Sequence, residues 1–281
     1  MTVNIIDAII HLVENPVTHL VNYYQGKNRA NNSGDALEEY VKDLFANSFD
    51  MDEKDRLRKI QETFSYLGNN SNPPDAMLCD GDAIEVKKIE SPNASLALNS
   101  SYPKHTLYSD SEMISSACRD AEEWKEKDII YTVGVVKDNE LKHLCMVYGM
   151  DYCASEECYS RIKHRIKEGV ESIPGVEFAE THELGRVNRV DPLGITYLRV
   201  RGMWGIENPW SVFNYIYSRN TQKNFTFMCI INDDKWDEFD NTDLLIEMAY
   251  SNKALKIQNI EIKNPDNPAQ LQDARLITYE I

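Results

Sequence analysis

The chain has 281 residues, with 30 lysines and arginines against 46 aspartates and glutamates, a formal net charge of −16. A content of 42% hydrophobic and 27% charged residues excludes wholesale disorder and allows one large domain or two ordinary ones with a full core. Taken alone, the acidic balance argues against a nucleic-acid binder, whose usual footprint is basic.

The opening stretch MTVNIIDAIIHLVENP lacks a basic leader and a small-residue cleavage site. Ile5, Ile6, Ile9, Ile10 and Val13 instead recur at helical spacing. No apolar run approaches the ~18 residues needed to cross a bilayer. The expectation is a cytoplasmic protein without a membrane partner, its six cysteines reduced. Cys153 and Cys158 have no second Cys/His pair to complete a zinc set.

In chain order, helices are expected over 3–14 and 17–24, followed by a polar stretch, QGKNRANNSG (25–34). Leu37, Tyr40, Val41, Leu44 and Phe45 mark a helix with one apolar face, capped by Asn32 or Ser33, with Asp35 favourable in its first turn. Residues 53–63 suit a charged helix, and GNNSNPP (68–74) a loop. DAML (75–78), the turn CDGD (79–82) and AIEVKKI (83–89) form a hairpin signal. A helix is expected over 110–125, then strands over 129–136 and 143–150 around the turn KDNE. Further on come a helix over 155–170, strands over 195–200, 225–231 and 257–262, and a helix over 241–251. The fold class is α/β: a mixed central sheet flanked by helices within residues 1–150, and an additional α+β C-terminal lobe over 151–281. A single domain is the alternative division.

Chemistry concentrates at Pro74-Asp75 and Glu85-Val86-Lys87. Strand alternation points Glu85 and Lys87 to one face and Val86 to the other, and the turn at Asp80-Gly81 returns Asp75 beside them. Asp75, Glu85 and the Val86 carbonyl are hard oxygen donors suited to Mg²⁺. Such an ion polarises a phosphate and acidifies water. Lys87 can orient or deprotonate that water and offset charge on the transition state, although beside two carboxylates alone it would tend to stay protonated. The bland alternative is a hairpin with a Glu–Lys neighbour pair.

This motif and its setting resemble the PD-(D/E)xK nuclease superfamily. More closely, GDALEEYVKDLF (34–45), SYLGNNSNPPDAML (65–78) and GDAIEVKKIES (81–91) resemble the NgoPII family of type II restriction endonucleases. The resemblance implies a restriction-endonuclease-like core and Mg²⁺-dependent cleavage of double-stranded DNA at a short palindrome, GGCC for that family, leaving 5′-phosphate and 3′-hydroxyl ends. It also implies a companion DNA methyltransferase. By position, Asp75 and Glu85 match the metal-binding carboxylates and Lys87 the motif lysine. The superfamily often adds a helical glutamate. Here that is Glu38 or Glu39, and Glu38, at the edge of the apolar face, is the choice for catalysis and metal.

For DNA contact, the loop 26–32 offers Lys27, Arg29 and Asn31 at a helix N-terminus, Asn70 precedes the metal site, and Lys88 follows the motif lysine. Residues 186–223 hold six cations against two acids, a net of +4 that leaves −20 for the rest. Of that stretch, Arg186, Arg189, Arg199, Arg201 and Lys223 are candidates for base reading and backbone grip. A palindromic target favours a homodimer. Two competing readings are a repair or junction-resolving nuclease on the same core, and a non-catalytic DNA-binding protein.

Overall fold

The computed structural model describes residues 2–27, 29, 30, 32–69, 72–181 and 183–281. Four helices open the chain: α1 (Ile5–Glu14), α2 (Leu20–Gly26), α3 (Ser33–Ala46) and α4 (Glu53–Thr63). Then follow β1 (Phe64–Asn69), β2 (Asn72–Leu78), β3 (Ala83–Ile89), β4 (Leu96–Asn99), β5 (Thr106–Tyr108), α5 (Ser116–Arg119), β6 (Glu126–Lys137), β7 (Glu140–Tyr148), α6 (Gly149–Tyr152) and α7 (Glu156–Glu171). The remainder comprises β8 (Glu177–Phe178), β9 (Gly185–Asn188), β10 (Leu198–Val200), β11 (Trp204–Ile206), α8 (Pro209–Val212), β12 (Thr226–Asn232), α9 (Asp233–Asp237), α10 (Thr242–Ser251), β13 (Leu255–Lys263) and β14 (Leu271–Glu280).

The main sheet runs β1-β2-β3-β6-β7-β12-β14-β13, with β5 added to β6. Its β3–β6 and β7–β12 pairs are parallel and its other pairs antiparallel. This is the mixed sheet flanked by helices expected from the sequence. Because β7 pairs with β12, the sheet continues across residue 150. A smaller sheet, β10-β9-β8, and the ribbon β11-β4 lie outside it.

Alternation along β6 builds a core on each face. Ile130 and Val136 join α1, α2 and α3 through Ile9, Leu12, Tyr24, Leu37 and Leu44. Ile129, Tyr131, Val133 and Val135 pack on the opposite side with Trp210 and Phe213. Strands covered on both faces read as continuous apolar runs, which is why 129–136 was legible. Helix α3 starts where Asn32 accepts from the Gly34 and Asp35 amides, at 2.8 and 3.1 Å. It lies close to the sheet at Gly134, where a Cβ would come within 2.8 Å of both Leu37 methyls.

Several expected elements differ. Within 110–125 only Ser116–Arg119 is helical. Ser115 caps it at Cys118, and the Arg119 guanidinium turns back onto the Ser109 and Ser111 carbonyls, so local polar groups compete with a longer helix. Of the expected loop 68–74, Gly68 and Asn69 end β1 and 72–74 begin β2, while residues 70 and 71 lie outside the described residues. Pro73 and Pro74 are tolerated there because β2 pairs with β3 only at Ala76 and Met77. The strand expected at 195–200 is reduced to Leu198–Val200, and that at 143–150 ends at Tyr148. Strand β14, central to the far half of the sheet, escaped the sequence reading because Gln272, Asp273 and Arg275 interrupt its apolar pattern.

The opening helices are tied together by a buried charge network. Asp43, fully buried on α3, accepts from Tyr24 Oη (2.8 Å), Ser48 Oγ (2.6 Å) and Arg56 Nε (2.8 Å). Arg56 also donates from Nη2 to Glu39 Oε2 at 2.6 Å, joining α4 to α3. Removing one member of such a pair strands the other charge in low dielectric. Arg56→Met is expected to lower the unfolding free energy by about 3 kcal/mol. Urea titration at unchanged m-value measures this, and a loss under about 1 kcal/mol would mean that Asp43 is satisfied without Arg56.

Candidate active site

Strand β3 puts Glu85 and Lys87 on one face while Val86 packs into the helix-side core. The β2–β3 ladder is short, Ala76 opposite Ile84 and Met77 opposite Ala83. Beyond it the Val86 amide donates to Asp75 Oδ2 at 2.6 Å, so a side chain replaces the missing ladder bond. Strand β1 supports this segment from behind. A Cβ at Gly68 would stand 2.4 Å from the Pro74 carbonyl oxygen and 3.0 Å from that of Asp75, which requires glycine there.

The Lys87 ammonium stands among three oxygens: Glu85 Oε1 at 2.5 Å, the Val86 carbonyl at 3.3 Å and Asp75 Oδ2 at 3.9 Å. Burial and then the Asp75 charge push the Glu85 carboxyl up to about 7. Burial likewise raises Asp75, against the pull of Lys87. Burial pulls the Lys87 ammonium down, but Glu85 and Asp75 override it and its pKa ends above the ordinary value. The other Glu85 oxygen, Oε2, is buried and has no hydrogen-bond partner.

These groups line a cleft of about 280 Å³ together with Glu38, Lys104 and Tyr131. Glu38 is raised by burial and then by the Asp75 charge. Glu39 is committed elsewhere, to Lys42 at 2.7 Å and Arg56 at 2.6 Å. Sequence reasoning missed Lys104 and Tyr131. Tyr131 faces Glu85 in register across β3–β6, and this was within reach of strand pairing. Lys104 sits in a segment without periodicity and left no such signal.

The cationic candidates are dispersed. Lys27 bonds Tyr23 Oη and the Phe49 carbonyl, and Arg29 pairs with Glu53 at 3.1 Å. Both line a second cleft, on the Glu39 side of α3. Lys88 pairs with Glu90 and reaches Ser33. Arg199 grips Glu183 with Nε and Nη2, Arg201 Nε shares the same carboxylate, and Arg189 pairs with Glu177. Arg186 lies over the Tyr197 ring at 5.4 Å, and Lys223 is exposed. Asn31 and Asn70 fall outside the described residues.

The model of the NgoPII restriction endonuclease family matches residues 3–263. The chain belongs to this family. Membership brings the class of activity, that of a restriction endonuclease. A curated relative, the type II restriction enzyme NgoPII of Neisseria gonorrhoeae, is 64% identical over 279 residues, covering 99% of this chain and 100% of the relative. No solved structure matches.

The donor set of this NgoPII-family site fits a divalent ion that prefers oxygen. Asp75, Glu85 with its unpartnered Oε2, and the Val86 carbonyl are hard donors already converging on a cation, the Lys87 ammonium. Among the described residues no three His, Cys, Asp or Glu side chains form a preformed metal cage. Such a site completes its coordination with carbonyl, water and phosphate oxygens, as Mg²⁺ sites do.

A pH dependence follows. Folded Glu85 keeps its proton up to about 7 against an ordinary value of 4.5, so the folded state binds more protons between these values. Its stabilising contribution is therefore complete below about 4.5 and lost as pH rises through about 7. In metal-free protein, Glu85→Gln should flatten the fall in stability across that window, by up to about 1.4 kcal/mol per pH unit. Urea unfolding at both ends of the window tests this; parallel curves for the two proteins would show that Glu85 titrates normally.

Proposed function

We propose that the chain hydrolyses phosphodiester bonds of double-stranded DNA at a short palindromic site, GGCC by family resemblance, with Mg²⁺ as the working ion. The products are 5′-phosphate and 3′-hydroxyl ends. One observation carries this reading: two carboxylates and a backbone carbonyl converge on a single cation at the floor of a cleft.

Asp75, Glu85 and the Val86 carbonyl would hold the ion, with Glu38 alongside. When bound there, the metal supplies Lewis acidity, polarising the scissile phosphate and acidifying water. The Val86 amide fixes the Asp75 carboxylate, so one donor is oriented before any ligand arrives. The carboxylates hold Lys87 as an ammonium, so it acts first as a donor. It orients the attacking water and offsets charge building on the phosphate oxygens during in-line displacement. Glu85 would serve the ion while its Oε1 still accepts from this ammonium, since its Oε2 is unpartnered. Glu85 must also lose its proton, so metal affinity rises with pH through about 7.

Arg186, Arg189, Arg199, Arg201 and Lys223 are assigned to DNA grip and base reading, with Lys27, Arg29 and Lys88 on the backbone nearer α3. Arg199 and Arg201 share Glu183 in the free protein, so a phosphate or guanine edge would have to exchange with that carboxylate. A palindromic target calls for a homodimer with one site per strand, and host survival calls for a methyltransferase acting on the same sequence. Among the described residues no helix is long and apolar enough to cross a membrane. We place the protein in the cytoplasm, where its DNA substrate is.

Incubation with unmethylated plasmid and Mg²⁺, followed by sequencing of the ends, should give discrete fragments sharing one motif. Asp75→Asn and Lys87→Ala should each cut at least about a hundredfold more slowly while still binding the target duplex. Normal cutting by either variant would refute the assigned site, and cleavage confined to branched or damaged DNA would refute sequence-specific restriction.

A further inference from the structure

The cleft contains a second lysine that the assigned chemistry does not use. Lys104 lies on the connection from β4 to β5 and is only 6% exposed, yet it lines the same cleft as Asp75, Glu85 and Lys87. Its backbone is held from two directions. The Lys104 amide donates to Tyr131 Oη at 2.7 Å, and Tyr131 is the register partner of Glu85. Its carbonyl packs against α6, where a Cβ on Gly149 would come within 2.4 Å of it. The side chain is placed as well, with Nζ 3.8 Å from the centre of the Tyr102 ring. Tyr102 in turn stacks on Tyr159 and donates to Glu156, so the peripheral helix α7 supports this arrangement.

What the ammonium lacks is an anion. Among the described residues Lys104 Nζ makes no hydrogen bond and has no carboxylate oxygen within 4.0 Å, although every other strongly buried lysine has one, Lys127 in Glu122 and Lys235 in Asp82 and Asp128. Burial without a partner pulls the Lys104 ammonium down to about 8, which still leaves it mostly charged at neutral pH. A largely desolvated cation with three donors, whose attracting carboxylate Glu156 stays beyond ion-pair distance and accepts from Tyr102 instead, is prepared for an incoming oxyanion. The cleft makes that anion a phosphate. Glu38, Asp75 and Glu85 would repel a phosphodiester, and Lys87 is already committed to two of them.

We propose that Lys104 binds a backbone phosphate of the DNA in the cleft, supplying attraction independent of both the metal and Lys87. The inference rests on the proposed DNA cleavage but adds a residue to it. Removing one phosphate contact lowers the slope of log affinity against log salt by about 0.9, whatever the base sequence. A lysine that only packs on Tyr102 changes no slope.

The test is a salt series of anisotropy titrations with a target duplex and a random duplex, in EDTA, using wild-type, Lys104→Met and Lys104→Arg proteins. The expected result is a slope lowered by about 0.9 for Lys104→Met on both duplexes, and a wild-type slope for Lys104→Arg. An unchanged slope in Lys104→Met, or a loss confined to the target duplex, would overturn the proposal. Should Lys104→Met fail to fold, Lys104→Gln takes its place and is read the same way. Plasmid left uncut by wild-type protein with Mg²⁺ would sink the cleavage reading. An active wild-type enzyme with an unaltered variant slope would sink only the role of Lys104.

Discussion

The hydrogen bond from the Val86 amide to Asp75 Oδ2 holds the site together. Strands β2 and β3 pair for only two residues before they splay, and the open end would leave a buried amide unsatisfied. Asp75 satisfies it with a carboxylate, fixing an anion beside Glu85. Once two carboxylates share a buried site, a cation is required, and Lys87 provides it from the same strand face. Cleft, raised carboxyl groups and held ammonium all follow from that one splayed hairpin.

The surrounding fold keeps this geometry fixed. Residue 68 must be glycine for β1 to back Asp75, and α3 presses on the sheet closely enough to bring Glu38 to the rim. The Asp43–Arg56–Glu39 network turns Glu39 to the other side of α3 and binds α4 there. Two adjacent glutamates thereby acquire different tasks: Glu39 completes a structural network, and Glu38 is left facing the cleft. Lys104 reaches the same cleft from a distant loop, because Tyr131 anchors it one strand away from Glu85.

Net charge was a poor guide to partners. The −16 total coexists with an arginine-rich stretch over 186–223, but the fold answers several of those cations with local acids, Glu183 and Glu177 among them. On the proposed reading, DNA must displace Glu183 at Arg199 and Arg201, whereas among the described residues Lys104 holds no carboxylate to displace.

Strand alternation and the hairpin turn made Asp75, Glu85 and Lys87 legible in the sequence, because their relations are local and periodic. The α3 face separated Glu38 from Glu39 by the same kind of arithmetic. Elements whose stability comes from distant partners were misread. Residues 110–125 have helical composition but spend their polar groups on local turns, and β14 depends on β12 and β13 rather than on its own pattern. The sequence by itself determined which charges meet at the floor of the cleft, since one strand period and one turn specify it. Only the tertiary structure decided which distant charges reach that floor and which are neutralised on the way. Charge in a low dielectric is governed by neighbours in space, and chain separation does not encode them.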